Sequence, residues 1–443
     1  MDIANFFYNA ALHTVGFAAV QALRWRSGDD PEFWAGRFGL YSLPHAKPDQ
    51  PTLWFHAASV GEVTGAAPTI QEAGRAWPNA RLVLSVGTQT GYRSARSRVS
   101  PDVIVVPFPL DFPHVLSRAL SGIRPNLFIA FESEFWPNLF KVLREHSIPA
   151  VLLNGRLSAR SLGRYRALKS LFGPVFSHFR WLAMNTESDR RNVLSLGVPE
   201  DRVLVLGTSK FDGLSGRVNV DSLAHWREAL SLPSGAPVLV GGSLRRSECI
   251  GLLRVFRELS SIEPGLLGIF VPRHLDQVEP MARWLQEQAV PFHLLSRLEA
   301  GSETRSATVI LVDRIGILFD LYGLGDLIFC GGTLEPIGGH NILEPAAWGK
   351  AVFYGPSIHK VVDEHRALEA RGAGILVQDE QELAARWKRW LTDLEGLERL
   401  GAGGREAVLA LSGVSVKQVQ LIRDILSERS PSWASPAPGP TLR

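Results

Sequence analysis

The chain has 443 residues, 45% of them hydrophobic and 21% charged, which is the composition of a globular protein of about two domains rather than of a disordered or fibrous one. A formal charge of +3 is small for this length and excludes a broad nucleic-acid footprint, and two cysteines without metal-ligand spacing, Cys249 and Cys330, support neither a disulfide framework nor a zinc site.

The first segment, residues 3–23, is rich in Phe, Ala, Val and Leu but is interrupted by Asn5, Asn9, His13 and Gln21. It reads as a membrane-associated helix (domain 1–26) with an amphipathic helix docked on the protein's own core as the competing reading; Arg24 and Arg26 would hold the following chain on the cytoplasmic side. Apolar runs of strand length then alternate with helical patterns in two series. The first is 52–57, 82–86, 103–106, 127–131, 150–153, 181–184 and 203–206; the second is 237–240, 268–271, 308–312, 326–330, 351–354 and 374–377. Such alternation predicts an α/β fold of two Rossmann-like domains, 27–212 and 213–426, with parallel sheets and a ligand in the cleft between them, followed by a disordered tail over 427–443.

Taken in order, the strand ends carry chemistry. Leu53 to Glu62 is a strand–turn–helix signal that sets Glu62 at a helix start, where the helix dipole favours the ionised form and a general-base role. Ser59-Val-Gly-Glu62 also reads as a capping box, in which the carboxylate is only structural. Glu132 and Glu134 follow another buried strand, where a charge is costly unless it works or is paired. Arg156 and Arg160 lie four apart, on one face if helical, as an anion site or a solvated face. Lys210 stands just past the last strand of the first half, placed to neutralise developing negative charge, and Arg273 follows Pro272 at a strand end in the second half, suited to a phosphate.

The stretch from Phe329 to Pro356 reads as strand, glycine loop, short helix and strand. Asn341 would cap that helix, Pro345 would sit in its first turn and Gly349 would stop it, so backbone N–H groups and Glu344 would face a phosphate and a ribose. A purely structural turn is the equal alternative.

As a set, these motifs resemble the 3-deoxy-D-manno-octulosonic acid (Kdo) transferases, inverting glycosyltransferases of the GT-B fold that move Kdo from CMP-Kdo onto a lipid A precursor (lipid IVA) in lipopolysaccharide biosynthesis. The resemblance rests on Arg37-Phe-Gly-Leu-Tyr41, His56-Ala-Ala-Ser-Val-Gly-Glu62, Glu132-Ser-Glu-Phe-Trp-Pro-Asn138, Asn154-Gly-Arg-Leu-Ser-Ala-Arg-Ser161, Lys210-Phe-Asp212, Pro272-Arg-His274 and Gly338-Gly-His-Asn-Ile-Leu-Glu-Pro-Ala346. It implies Glu62 as general base, Glu132 and Lys210 as transition-state stabilisers, and CMP contacts at Pro272, Arg273, Ile315, Gly316, Ile317, Asn341, Ile342, Leu343 and Glu344. Arg156 and Arg160 are acceptor-side candidates. With no Asp-x-Asp motif and a nucleoside monophosphate as leaving group, metal independence and no cofactor are expected.

The expected partners are therefore CMP-Kdo, a lipid A precursor and a membrane surface, with no nucleic acid, at the cytoplasmic face of the inner membrane. Two departures fall in the second half: Gly242-Ser-Leu-Arg-Arg-Ser-Glu248 stands where the family usually has Gly-Ser-Thr-His-x-Gly-Glu, and Ile315-Gly-Ile317 where it usually has Met-Gly-Glu. They leave two alternatives: a sugar-nucleotide epimerase on the same fold, or a nucleotide-binding homologue that has lost catalysis.

Overall fold

In a computed structural model, residues 3–16, 30–44, 47, 50–430 and 433 are described. The chain divides into two compact units, one formed by Met1–Asp212 with Gly413–Arg443 and the other by Gly213–Ser412.

The first unit is built on a parallel sheet of seven strands: β1 (Thr52–His56), β2 (Arg81–Val86), β3 (Ile104–Pro107), β4 (Leu127–Phe131), β5 (Ala150–Gly155), β6 (Phe179–Met184) and β7 (Val203–Val205), in the order β3-β2-β1-β4-β5-β6-β7. β1, β2, β4 and β5 are buried along their whole length, which is why they read as unbroken apolar runs rather than alternating ones. Leu53 and Phe55 pack on one face and Trp54 on the other, each with no exposed surface. Burial of one such side chain is worth about 1.5–3 kcal/mol. The register pairs Leu53 with Leu127 and with Leu82, so the carboxyl ends of these strands lie at one edge. The strand order reverses between β1 and β4, and that crevice is where an open parallel sheet receives its ligand.

The second unit repeats the plan with β8 (Val238–Leu244), β9 (Leu267–Pro272), β10 (Phe292–Leu294), β11 (Val309–Leu311), β12 (Leu327–Cys330), β13 (Val352–Tyr354) and β14 (Gly374–Leu376), ordered β10-β11-β9-β8-β12-β13-β14. Its reversal falls between β8 and β12, where Val240 pairs with Ile328. Thirteen of the strands answer to the apolar runs of the sequence; β10 was not among them. Cys249 and Cys330 are both free and buried.

Two expectations are corrected. The last helix, Val414–Arg429, belongs to the first unit, so the second ends at Ser412 instead of 426. Its Val419, Ile422, Ile425 and Leu426 join the core formed by Val63 and Ile70. Residues 427–429 are helical rather than part of a disordered tail, and Trp77 Nε1 donates to the carbonyl of Trp433 at 2.9 Å; residues 431–432 and 434–443 lie outside the described residues. At the other end, the helix spans Ile3–Ala11 and a wider turn continues to Gly16, while 17–29 lie outside the described residues. Among the described residues no helix is long and apolar enough to cross a membrane. The short helix is tied to its unit by polar contacts: Tyr8 Oη donates to Asp111 Oδ2 at 2.7 Å, and the Asn9 and Asn138 amides exchange hydrogen bonds at 3.2 and 2.8 Å. Phe6 and Phe7 remain exposed.

A buried polar lattice joins the returning helix to the strand ends. Asn154, at the end of β5 with φ +51°, accepts at Oδ1 from Ser209 N at 3.0 Å and from Gln418 Nε2 at 2.8 Å. Thr69 Oγ1 donates to Gln418 Oε1 at 2.6 Å, and Ser209 Oγ donates to the carbonyl of Gly65 at 2.7 Å. Asn154→Ala strips partners from Ser209 and Gln418 at once; urea unfolding should show a loss of about 2–3 kcal/mol. A midpoint within error of the parent would remove this lattice from the account.

Candidate functional site

At the crevice of the first sheet, the connection after β1 carries Glu62 and the connection after β4 carries Glu132 and Glu134. Ser59 caps the helix Val60–Ala76, and its Oγ accepts from Glu62 N at 3.4 Å. Glu62 Oε2 accepts from Ala58 N at 2.7 Å and Oε1 from Ser59 Oγ at 3.2 Å. The capping contact and the candidate base are thus one carboxylate.

Its pKa shift runs opposite to the one the helix dipole alone would give. Burial first, then the charge of Glu134 and that of Glu132, push the Glu62 carboxyl up to about 7 against the lowering effect of its Ala58 and Ser59 hydrogen bonds. A helix dipole worth about 0.3–1 kcal/mol does not offset this. A carboxylate tuned near neutrality is a stronger base than an ordinary one and still available when deprotonated.

Glu134 is the source of much of that field. Burial alone would raise its pKa, but hydrogen bonds from His56 Nε2 at 3.0 Å and Trp136 Nε1 at 2.7 Å, with the charges of His56 and Arg37, hold it below the usual carboxylate range. His56 is fully buried, turns Nδ1 to the carbonyl of Ser85 at 3.0 Å and stacks on Phe108 with ring centroids 3.6 Å apart. Arg37 donates to the carbonyl of Phe108 at 2.6 Å, and burial brings its guanidinium down to about 10. Glu132 sits at φ +58°, a left-handed conformation unusual for a non-glycine residue; burial raises its carboxyl, and Arg156 and Lys210 act in the opposite sense.

Lys210 is exposed on the one-turn helix Ser209–Phe211, whose first residue is locked by Asn154. Arg156 precedes the helix Ala159–Ala167 and Arg160 lies within it, so the two do not share a helical face as the spacing suggested. His56, Arg37 and Glu134 lie in the sequence motifs that carry the resemblance, but the resemblance assigns them no role. The signal was available: a histidine and a carboxylate at the ends of two apolar strands each need a partner. From this geometry kcat/KM should rise along an acid limb near pH 7. Glu134→Gln removes a like charge, so the limb should move to lower pH; an unmoved limb would show that Glu134 does not set it.

In the second unit, five neighbouring connections meet at the carboxyl edge. Arg245 follows β8, Arg273 follows β9, Ile315–Ile317 follows β11, residues 331–344 follow β12 and Lys360 follows β13. Pro272 is buried, and Arg273 N donates to the carbonyl of Leu244 at 2.9 Å. Ile315 is exposed, Gly316 turns at φ +100°, and Ile317 is buried as the cap of the helix Leu318–Leu324, an apolar contact where a carboxylate was the family's usual choice.

The glycine loop differs from its expected role. The buried carboxylate of Glu248 accepts from Gly332 N at 2.6 Å and from Thr333 N and Leu334 N, each at 2.9 Å, so these donors face an internal anion and not a ligand. Gly338 and Gly339 follow at φ +100° and +90°, conformations that a side chain resists. The helix Leu343–Ala347 is capped by Ile342 rather than Asn341, whose Oδ1 accepts from Leu343 N at 3.2 Å. Glu344 pairs with Arg217 at 3.6 Å, and the Arg217 guanidinium lies 4.0 Å from the centre of the Phe319 ring.

The family model described as 3-deoxy-D-manno-octulosonic-acid transferase (kdotransferase) matches residues 32–213. The 3-deoxy-D-manno-octulosonic acid transferase of Chlamydia pneumoniae is 32% identical over 347 residues, 78% of either chain. The chain belongs to the Kdo transferase family. The transferase of Haemophilus influenzae, 29% identical, is covered over 94% of its length and covers 93% of this chain. A bifunctional glycosyltransferase/methyltransferase of Fusobacterium nucleatum is 30% identical over 87% of this chain, which spans only 60% of that protein. Among solved structures, Anabaena HepE in complex with UDP matches 86% of this chain and all of its own with a TM-score of 0.55 at 17% identity, a likeness of fold alone. This Kdo transferase is thus a glycosyltransferase with the GT-B fold.

Proposed function

We propose that this Kdo transferase moves Kdo from CMP-Kdo to a lipid A precursor with inversion at the anomeric carbon, at the cytoplasmic face of the inner membrane. The observation that carries the reading is Glu62, set at the crevice of the first sheet with its carboxyl near 7. Its free electron pair takes the proton of the acceptor hydroxyl as that oxygen attacks. A single base on the acceptor side is what an inverting displacement needs.

The other residues divide the remaining work. Lys210 and Glu132 take opposite parts, the first stabilising negative charge on donor oxygens and the second the positive character that develops on the sugar. Arg273 and the backbone of residues 315–317 and 341–344 take the cytidine monophosphate; loss of a side-chain carboxylate at Ile317 leaves such backbone contacts available. Arg156 and Arg160, both exposed, serve the anionic acceptor. Phe6 and Phe7, exposed on the N-terminal helix, suit the surface of a bilayer.

The test is direct. Purified full chain is incubated with labelled CMP-Kdo and lipid A precursor, and label is sought on the lipid. Label on the lipid supports the proposal; interconversion of free sugar nucleotides would make the protein an epimerase, and nucleotide binding without turnover would make it a non-catalytic homologue.

A further inference from the structure

The turn from β8 into the helix Ser247–Ser260 is one of the two places where this chain departs from the family pattern, and it is also the most strained turn of the second unit's carboxyl edge. Ser243 has φ +54° and Arg246 φ +46°, left-handed conformations on two non-glycine residues that flank Arg245. Strain of this kind persists only where the surroundings enforce it. Here Glu248 enforces it, since its Oε2 accepts from Arg245 N at 2.9 Å while the same carboxylate takes the N–H groups of residues 332–334. Glu248 therefore spends its negative charge on backbone, and the Arg245 side chain is sent elsewhere.

It goes to a cluster of like charge. The Arg245 guanidinium donates to His274 Nε2, and Arg245, Arg273, Lys360 and His274 all act on the imidazole of His340. Burial first, then those four positive or ionisable neighbours, bring the His340 ring down to about 4, so it stays neutral. Its Nε2 is buried and has no hydrogen-bond partner. The other nearby carboxylate, Glu335, is held by Ser247. Among the described residues, Arg245, Arg273 and Lys360 have no carboxylate at ion-pair distance. Three fixed cations gathered around an unsatisfied ring nitrogen repel one another unless an anion joins them.

We propose that Arg245, Arg273, Lys360 and His340 Nε2 form the subsite for the donor's phosphate, with Arg245 supplying in this chain a permanent charge where the family usually has histidine. The phosphate is held by side chains from four strand ends, and the glycine loop serves as the platform that Glu248 braces. The proposal rests on the Kdo-transfer reading only for the identity of the nucleotide.

Calorimetry of the full chain with CMP, UMP, cytidine and inorganic phosphate tests it without turnover. The parent protein should bind CMP at least about tenfold more tightly than cytidine, with inorganic phosphate competing against CMP but not against cytidine. Arg245→Met should weaken CMP about 10- to 100-fold and leave cytidine unchanged, Arg245→Lys should recover part of the loss, and His340→Phe should weaken CMP in the same selective way. Equal CMP affinity in Arg245→Met and the parent would overturn the subsite, as would a parallel loss of cytidine, which marks a merely structural residue. Preference for UMP over CMP, with the same dependence on Arg245, would uphold the subsite and overturn the Kdo donor.

Discussion

Glu62→Gln is expected to slow transfer by about 10²–10⁴ while leaving folding intact. The amide keeps an acceptor oxygen for Ala58 N, which now sits 2.7 Å from Oε2, and it keeps the place of the side chain at the helix start. What it lacks is the ability to take a proton. Folding should even be eased slightly, because the substitution removes a charge whose ionisation is opposed by burial and by Glu134 and Glu132. The control is thermal unfolding at pH 8, where the parent carries the charge: an unchanged or slightly raised Tm with collapsed turnover supports the base, whereas a lowered Tm in step with lost activity would reduce Glu62 to a cap.

Lys210→Ala should cost about 10²–10³ in kcat at saturating donor, with a smaller effect on KM, because an electrostatic stabiliser acts most strongly where charge develops. The turn that bears Lys210 is fixed through Ser209 and not through the lysine itself, so the variant should fold as the parent does. The lysine also helps to hold Glu132 ionised against burial, so its removal should push the Glu132 carboxyl higher still and narrow the pH range of whatever activity remains. Lys210→Arg should recover part of the rate. Turnover of Lys210→Ala equal to that of the parent would exclude the lysine from the chemistry.

The strands were legible in the sequence because parallel strands buried on both faces are apolar throughout, and Leu127–Phe131 or Leu82–Val86 need no partner to be recognised. β10 was not, since Phe292–Leu294 is three residues long with a histidine at its centre. The return of the last helix to the first unit could not be read, because the apolar stripe of Val419, Ile422 and Leu426 says that the helix is covered but not by which core. The site shows the same division. Local chemistry marked Glu62, Glu132, Lys210 and Arg273, but Glu62 is raised by burial and then by the charge of a carboxylate 72 positions away by numbering, and the carboxylate that fills the glycine loop's donors comes from Glu248, 84 positions before Gly332. Both are products of strand order.

The most direct measurement of the central claim, that a glutamate held near neutrality is the base of the transfer, is kcat/KM for the acceptor from pH 5 to 9, in the parent and in Glu62→Gln. The account predicts a parent rate that climbs about tenfold per pH unit below a bend near 7 and then levels, with Glu62→Gln low and without that bend. A Glu62→Gln rate that follows the parent's bend and plateau would contradict it.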